Sequence, residues 1–193
     1  ASDVARRIAV KYGDYWVFWG ESPEQVKEQI DGMEKNLEGR DRPLKYVTRF
    51  QITARETEEE AYEAAEEVLS RVDHDVLAHR GKVIARFDSK GTKNQQERTK
   101  EEMVGPNLWG GMGRIRTGSA VTIVGSYEQC AEKIVEIEKA GVNLLILSGF
   151  PLHSECQIVG EKVIPLVREM ERQQGLVNEE EDNFLKVATA AVS

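Results

Sequence analysis

Residues 106–125, PNLWGGMGRIRTGSAVTIVG, decide how the chain is read, because two kinds of segment meet there without a break. The first part is glycine-rich and carries Trp109, Arg114 and Arg116, the composition of a mobile loop that can bring cationic donors to an anionic ligand. Ala120 to Val124 is a short apolar β-branched run, Gly125 ends it, and Ser126 stands where a helix N-cap belongs. A flexible loop with arginines that leads into a buried strand and then a helix is the layout of an active-site lid on an α/β scaffold.

The same strand-then-helix unit recurs on both sides of this stretch. Upstream, Tyr15 to Trp19, YWVFW, reads as a buried strand, and Ser22-Pro23 opens a helix whose Val26, Ile30, Met33 and Leu37 recur at helical spacing until Gly39. Lys45 to Thr53 is a second strand, interrupted by Thr48, Arg49 and Gln51, and Thr57 with Glu60 forms a capping box for a helix that buries Ala61, Ala65, Val68, Leu69 and Val72. Another helix is expected over roughly 75–87, and periodicity is then lost from Asp88 to Arg116. Downstream, Ser126 and Gln129 cap a helix from Tyr127 to Ala140 that stops at Gly141. Leu144 to Leu147 reads as the most buried strand, and Ser154 is expected to cap a helix that Pro165 kinks or divides. The chain opens with a short helix capped by Ser2, and 173–193 form an acidic, then weakly apolar tail.

Four such units in series predict parallel strands joined by right-handed crossovers, closed either as an open doubly wound sheet or as part of a (β/α)8 barrel. No Gly-x-Gly-x-x-Gly follows the first strand, which weakens the dinucleotide-binding alternative. In both closures ligands lie at the C-terminal strand ends, at Trp19, Arg49 to Thr53, Gly125 to Ser126 and Ser148 to His153.

A net charge of -8 argues against nucleic-acid or anionic-membrane partners, so any anion site is local. No apolar run approaches the roughly 20 residues that span a bilayer, and the first residues lack the core of a signal peptide. Cys130 and Cys156 have no metal-ligand spacing and read as small buried hydrophobes in a reducing cytoplasm. Arg49 in mid-strand is either an anion ligand or half of a structural ion pair. Arg114 and Arg116 are either ligand contacts or solvated loop residues, and Trp19 either walls a planar cofactor or fills core. His153 follows a strand end and is the one histidine placed to donate a proton; His74 and His79 read as exposed.

Several segments together resemble the bacterial luciferase-like flavin monooxygenases, most closely the alkanesulfonate monooxygenase branch: YWVFWGESPEQVKEQI, RFQITARETEEEAYEAAEEVLS, ARFDSKG, PNLWGGMGRIRTGSAVTIVGSYEQCAEKI and GVNLLILSGFP. The resemblance implies an α/β fold, the C-terminal half (strands five to eight) of a (β/α)8 TIM barrel over 1–172, with a long mobile lid insertion at 88–118 before strand seven. Family members are about twice this length and the sequence carries no initiator methionine, so a processed chain, a fragment, a truncated product or one piece of a split enzyme is expected.

The activity implied is two-component: a separate NAD(P)H-dependent flavin reductase supplies reduced FMN, oxygen is co-substrate, and a small sulfonate is oxygenated to aldehyde and sulfite in an oligomeric cytoplasmic enzyme. By the same resemblance Ser2 is a flavin-phosphate ligand and Trp19 walls the flavin, whereas Arg49 and Arg116 lie at the substrate anion. The sequence departs from that branch at Gln51 and Leu152, where it has histidine, and at Phe150, where it has tyrosine; His153 stands one place later. The resemblance makes Arg49, Arg116 and Gln51 the expected catalytic residues and puts Phe150 and His153 with the two arginines on the substrate side; loss of titratable groups opens a sulfone or another small substrate as the alternative. A non-catalytic half-barrel remnant is the competing class.

Overall fold

Most of the expected strand-helix units form because the helix carries its own start signal next to an apolar run. The computed structural model describes residues 2–73, 103–115 and 121–176, with backbone alone at 114 and 115. Helix α1 (Asp3–Tyr12) begins where the Ser2 hydroxyl accepts the Ala5 N–H at 3.2 Å. Strand β1 (Tyr15–Trp19) leads to α2 (Pro23–Glu34), and β2 (Lys45–Arg55) leads to α3 (Glu58–Ser70). Thr57 with Glu60 makes the reciprocal cap expected of it, and Ser22, expected as an N-cap, forms one with Gln25 as well.

Part of the segment expected as open loop is structured. Met103–Gly105 (β3) and Leu108–Trp109 (β4) form an antiparallel hairpin, followed by the helical turn α4 (Gly111–Ile115). The expected helix over 75–87 lies outside the described residues, as do 88–102 and 116–120. Strand β5 (Thr122–Ser126) then feeds α5 (Tyr127–Lys139) through the Ser126/Gln129 box, and Gly141 at φ +106° ends the turn. Ser126→Ala is expected to lower stability by about 1 kcal/mol, read as an earlier urea midpoint, because it strips an acceptor from the first turn of α5; an unshifted midpoint would contradict that assignment.

After β6 (Leu144–Ser148) the helix divides as Pro165 requires. It runs as α6 (Leu152–Ile158), a π-helical turn (Val159–Val163) and α7 (Ile164–Gln173), with Pro165 in the first turn of α7. Ser154 is not the cap expected: it sits inside the first turn of α6 and donates its hydroxyl to the Pro151 carbonyl at 3.2 Å.

All four strands of the repeated units are parallel, and β2 is their hub. It pairs with β1 over 45–49, with β6 over 47–51 and with β5 over 51–55. The Arg49 carbonyl accepts from Gly20 and the Gln51 N–H donates to Val121, whereas the Tyr46 carbonyl accepts from Asn143. Alternate residues of a strand bond to opposite edges. Strands β1 and β5 therefore lie end to end along one edge of β2, and β6 runs along the other. Consecutive barrel strands would pair in chain order; among the described residues β5 and β6 do not pair with each other.

Residues matched across parallel strands share a face. On one face Trp16, Phe18, Tyr46, Phe50, Ile52 and Ile123 pack beneath α2, α5 and α7, and Phe50 is fully buried. Among the described residues, helices cover the opposite face at the C-terminal end, where Val124 packs with Ala61 and Ala65 of α3 and with Trp109 and Met112. Alanines let α3 approach closely. At the other end of that face Tyr15, Val17, Leu144 and Ile146 are exposed. Strands β1 and β6 are thus half-covered rather than buried as their apolar composition predicts, because no described element lies over them.

Candidate functional site

Arg49 stands in the middle of β2, in line with Trp19 of β1 and Ile146 of β6, so all three side chains share the partly open face. It is half-buried, and its Nη2 donates to the Ser148 hydroxyl at 3.2 Å. The structural ion pair that competed as an explanation is not found: among the described residues no carboxylate pairs with Arg49, whereas Arg42 holds Asp14 at 2.7 Å and Arg168 holds Glu171 at 2.8 Å. A guanidinium has five donors in a rigid fork, and here most of that capacity is unused. Such a group is a ready anion ligand.

Trp19 is half-buried and followed by Gly20, where a Cβ would come within 2.6 Å of the Arg49 carbonyl and 2.7 Å of the Phe50 ring. Only glycine lets the chain leave β1 that close to β2, and this sets Trp19 beside Arg49.

Two residues on, Gln51 points to the same face but lies under the cover. It is 2% exposed, and neither its amide nitrogen nor its amide oxygen has a partner. Its neighbour in register, Thr122, is equally buried with an unpartnered hydroxyl. Both line a cavity of about 10 Å³ bounded also by Met112 and Phe150. That is room for about one water molecule. An unmade hydrogen bond in such a place costs about 1–3 kcal/mol, and orphaned groups of this kind mark sites kept for something other than stability.

The fold therefore brings Arg49 and Trp19 together, and Gln51 and Phe150 together, along one face. Ser2 is exposed and satisfies its own helix, His153 is exposed in the first turn of α6, and Arg116 lies outside the described residues. From the glycine-rich stretch Leu108, Trp109 and Met112 turn inward. Gly111 is required there, since a Cβ would meet the Trp109 ring at 2.1 Å.

Sequence reading missed Thr122, which the register alone puts beside Gln51, and the pair of Arg55 with Glu155, joined at 2.6 Å across a separation of 100 residues. It also misplaced one cysteine. Cys130 is buried, and burial pushes its thiol up to about 12, but Cys156 is exposed. No cluster of three or more His, Cys, Asp or Glu side chains able to hold a metal occurs among the described residues, and none of their helices is long and apolar enough to cross a membrane.

Comparison with solved structures places this arrangement among known folds. The EDTA monooxygenase of Chelativorans sp. BNC1 aligns at TM-score 0.63 and 16% identity, over 88% of this chain and 43% of its own. DmoA of Hyphomicrobium sulfonivorans aligns at TM-score 0.66 and 15% identity, over 93% of this chain and 41% of its own. A riboflavin lyase, solved with modified FMN and riboflavin, aligns at TM-score 0.63 and 17% identity, over 92% and 42% respectively. The chain thus spans about two fifths of the length of these relatives in structure. At these identities the likeness is one of fold, an α/β sheet curled as a part of their barrels. A family model described as luciferase-like monooxygenase matches residues 1–144, most of the chain, and on that match the chain belongs to the luciferase-like monooxygenase family.

Proposed function

We propose that the chain forms part of a two-component monooxygenase that takes reduced FMN from a separate flavin reductase and, with oxygen, oxygenates a small organosulfur compound such as an alkanesulfonate. The observation that carries this reading is Arg49: a half-buried guanidinium on the sheet face beside Trp19, with no carboxylate partner among the described residues. This pair also suits the cofactor, because an indole can lie against a planar ring while the cation faces a nearby anion. When bound, the reduced flavin supplies the electrons that activate oxygen.

The chain's own share is to bind and orient. Arg49 and Arg116 hold the anionic group of the substrate, Trp19 walls the flavin, and Ser2 at the start of α1 meets its phosphate. Gln51, Phe150 and His153 line the substrate side. The strands are numbered five to eight of the barrel, and 88–118 is the lid that excludes water. Gln51 and Phe150, standing where the sulfonate branch has titratable residues, favour a sulfone or another small neutral substrate as the second reading.

Anaerobic titration with reduced FMN, followed by oxygen uptake on a sulfonate and sulfone panel with a reductase present, tests the proposal. It is to be run on this chain and on the chain extended to the length of its relatives. Flavin binding with sulfonate-dependent oxygen uptake is the expected result. Uptake with sulfones alone selects the second reading. Absence of flavin binding in both forms overturns the proposal and leaves a non-catalytic half-barrel.

A further inference from the structure

A second cavity lies on the other side of the sheet, away from Arg49. It measures about 310 Å³ and opens between β2, β6 and the divided helix that follows β6. Volumes of small-molecule sites run from roughly 300 to 1,000 Å³. Leu145 and Leu147, which alternate with the exposed Leu144 and Ile146, form its floor with Ile52, and Val159 and Ile164 form its wall.

The hollow has one polar end. Glu155 lines it at 1% exposure; one carboxylate oxygen accepts from Arg55 at 2.6 Å, and the other, Oε2, is buried without a partner. Its rim is the π-helical turn, where the widened helix sets Gly160 at the mouth and an added Cβ meets nothing within 4 Å. Turns of this kind occur often at functional sites. Exposed Cys156 lies on the same rim.

We propose that this cleft binds a neutral aliphatic molecule with one hydroxyl group, its chain lying on Leu145, Leu147, Val159 and Ile164 and its hydroxyl donating to Glu155 Oε2. The charge state of the ligand follows from the site. Arg55 already balances Glu155, so a cation gains little, and an anionic head group would meet a buried carboxylate with no second cation beside it. A neutral donor satisfies the orphaned oxygen, and the apolar chain takes the surface that the hollow leaves uncovered. Ser148, which lines the cleft, accepts from Arg49, and Ile52 and Gly149 line both the cleft and the small cavity beside Gln51. A test that reads octanol and not flavin decides the site separately from the monooxygenase reading.

Cys156 supplies the probe. Cys130 is buried with its thiol held in the protonated form, so a thiol reagent at neutral pH reads Cys156 at the rim. 1-Octanol at about ten times its dissociation constant is expected to slow that labelling about tenfold, with saturation. Octanoate and methyl heptyl ether, which lack a neutral donor, are expected to leave the rate nearly unchanged. Gly160→Trp fills the mouth and is expected to abolish both the octanol effect and the heat of octanol binding by calorimetry, while its circular dichroism and melting match the parent.

Equal protection by the ether would overturn the role of Glu155. Octanol protection retained in folded Gly160→Trp, no protection in the parent, or a Cys156 that fails to label before octanol is added would each overturn the site.

Discussion

Arg49→Ala is expected to lower kcat/KM for an anionic organosulfur substrate about 100- to 1,000-fold, which corresponds to about 2.7–4 kcal/mol of lost transition-state stabilisation. The size of the effect follows from where the guanidinium sits. It is half-buried, so water screens it less than a surface arginine, and among the described residues Ser148 is its one side-chain hydrogen-bond partner, at 3.2 Å. No carboxylate among the described residues competes with a ligand anion for the fork.

Arg49→Lys keeps the charge and loses the planar bidentate geometry, so an intermediate loss is expected. The fold should be nearly indifferent to either change, because the bond given up is a single one to a hydroxyl, and urea unfolding checks this separately from activity. A neutral substrate of the same size should suffer less than the anionic one. Steady-state kinetics of the two variants on a matched sulfonate and sulfone would sink the assignment if Arg49→Ala stayed within about threefold of the parent.

The largest stability effect is expected at the pair of Arg55 and Glu155. Arg55 is about a quarter exposed and Glu155 is 1% exposed, and they join the C-terminal end of β2 to α6 at 2.6 Å. Arg55→Ala leaves a buried carboxylate with no cation, and removal of one member of such a pair costs about 3–5 kcal/mol. The companion experiment separates the pair's net worth from the penalty of an orphaned charge. Arg55→Ala combined with Glu155→Leu removes both charges and fills the space, and it should recover most of the loss. Urea midpoints of the two variants decide the matter: a double variant no more stable than Arg55→Ala would mean that the pair holds α6 in place through geometry rather than through charge balance.

The N-cap at Ser22, the capping boxes at Thr57 and Ser126, the stop at Gly141 and the division of the last helix at Pro165 were legible in the chain. Each is decided by residues within about four positions of one another, so local chemistry is enough. The parallel direction of the strands was legible for a related reason, since a helix between two strands returns the chain to the same end of the sheet. Arg49 was legible as a residue to explain, because a cation among apolar neighbours stands out in any listing of the chain.

Coverage and partnership were not legible, because they depend on residues brought from far away. Tyr15, Val17, Leu144 and Ile146 have the composition of buried strand positions, yet they are exposed because no described element lies over that end of the sheet. Trp109 and Met112 sit in a stretch with the composition of an open loop, yet they are buried because β4 pairs with β5 and α3 closes over them. Whether Arg49 had a carboxylate partner, whether Gln51 and Thr122 were satisfied and which residue met Glu155 are questions of distance between segments up to 100 residues apart. Composition and periodicity by themselves determined which residues make strands and helices; the tertiary structure alone decided which of their polar groups were left without partners, since burial and hydrogen bonding are properties of the assembled sheet and its covering helices.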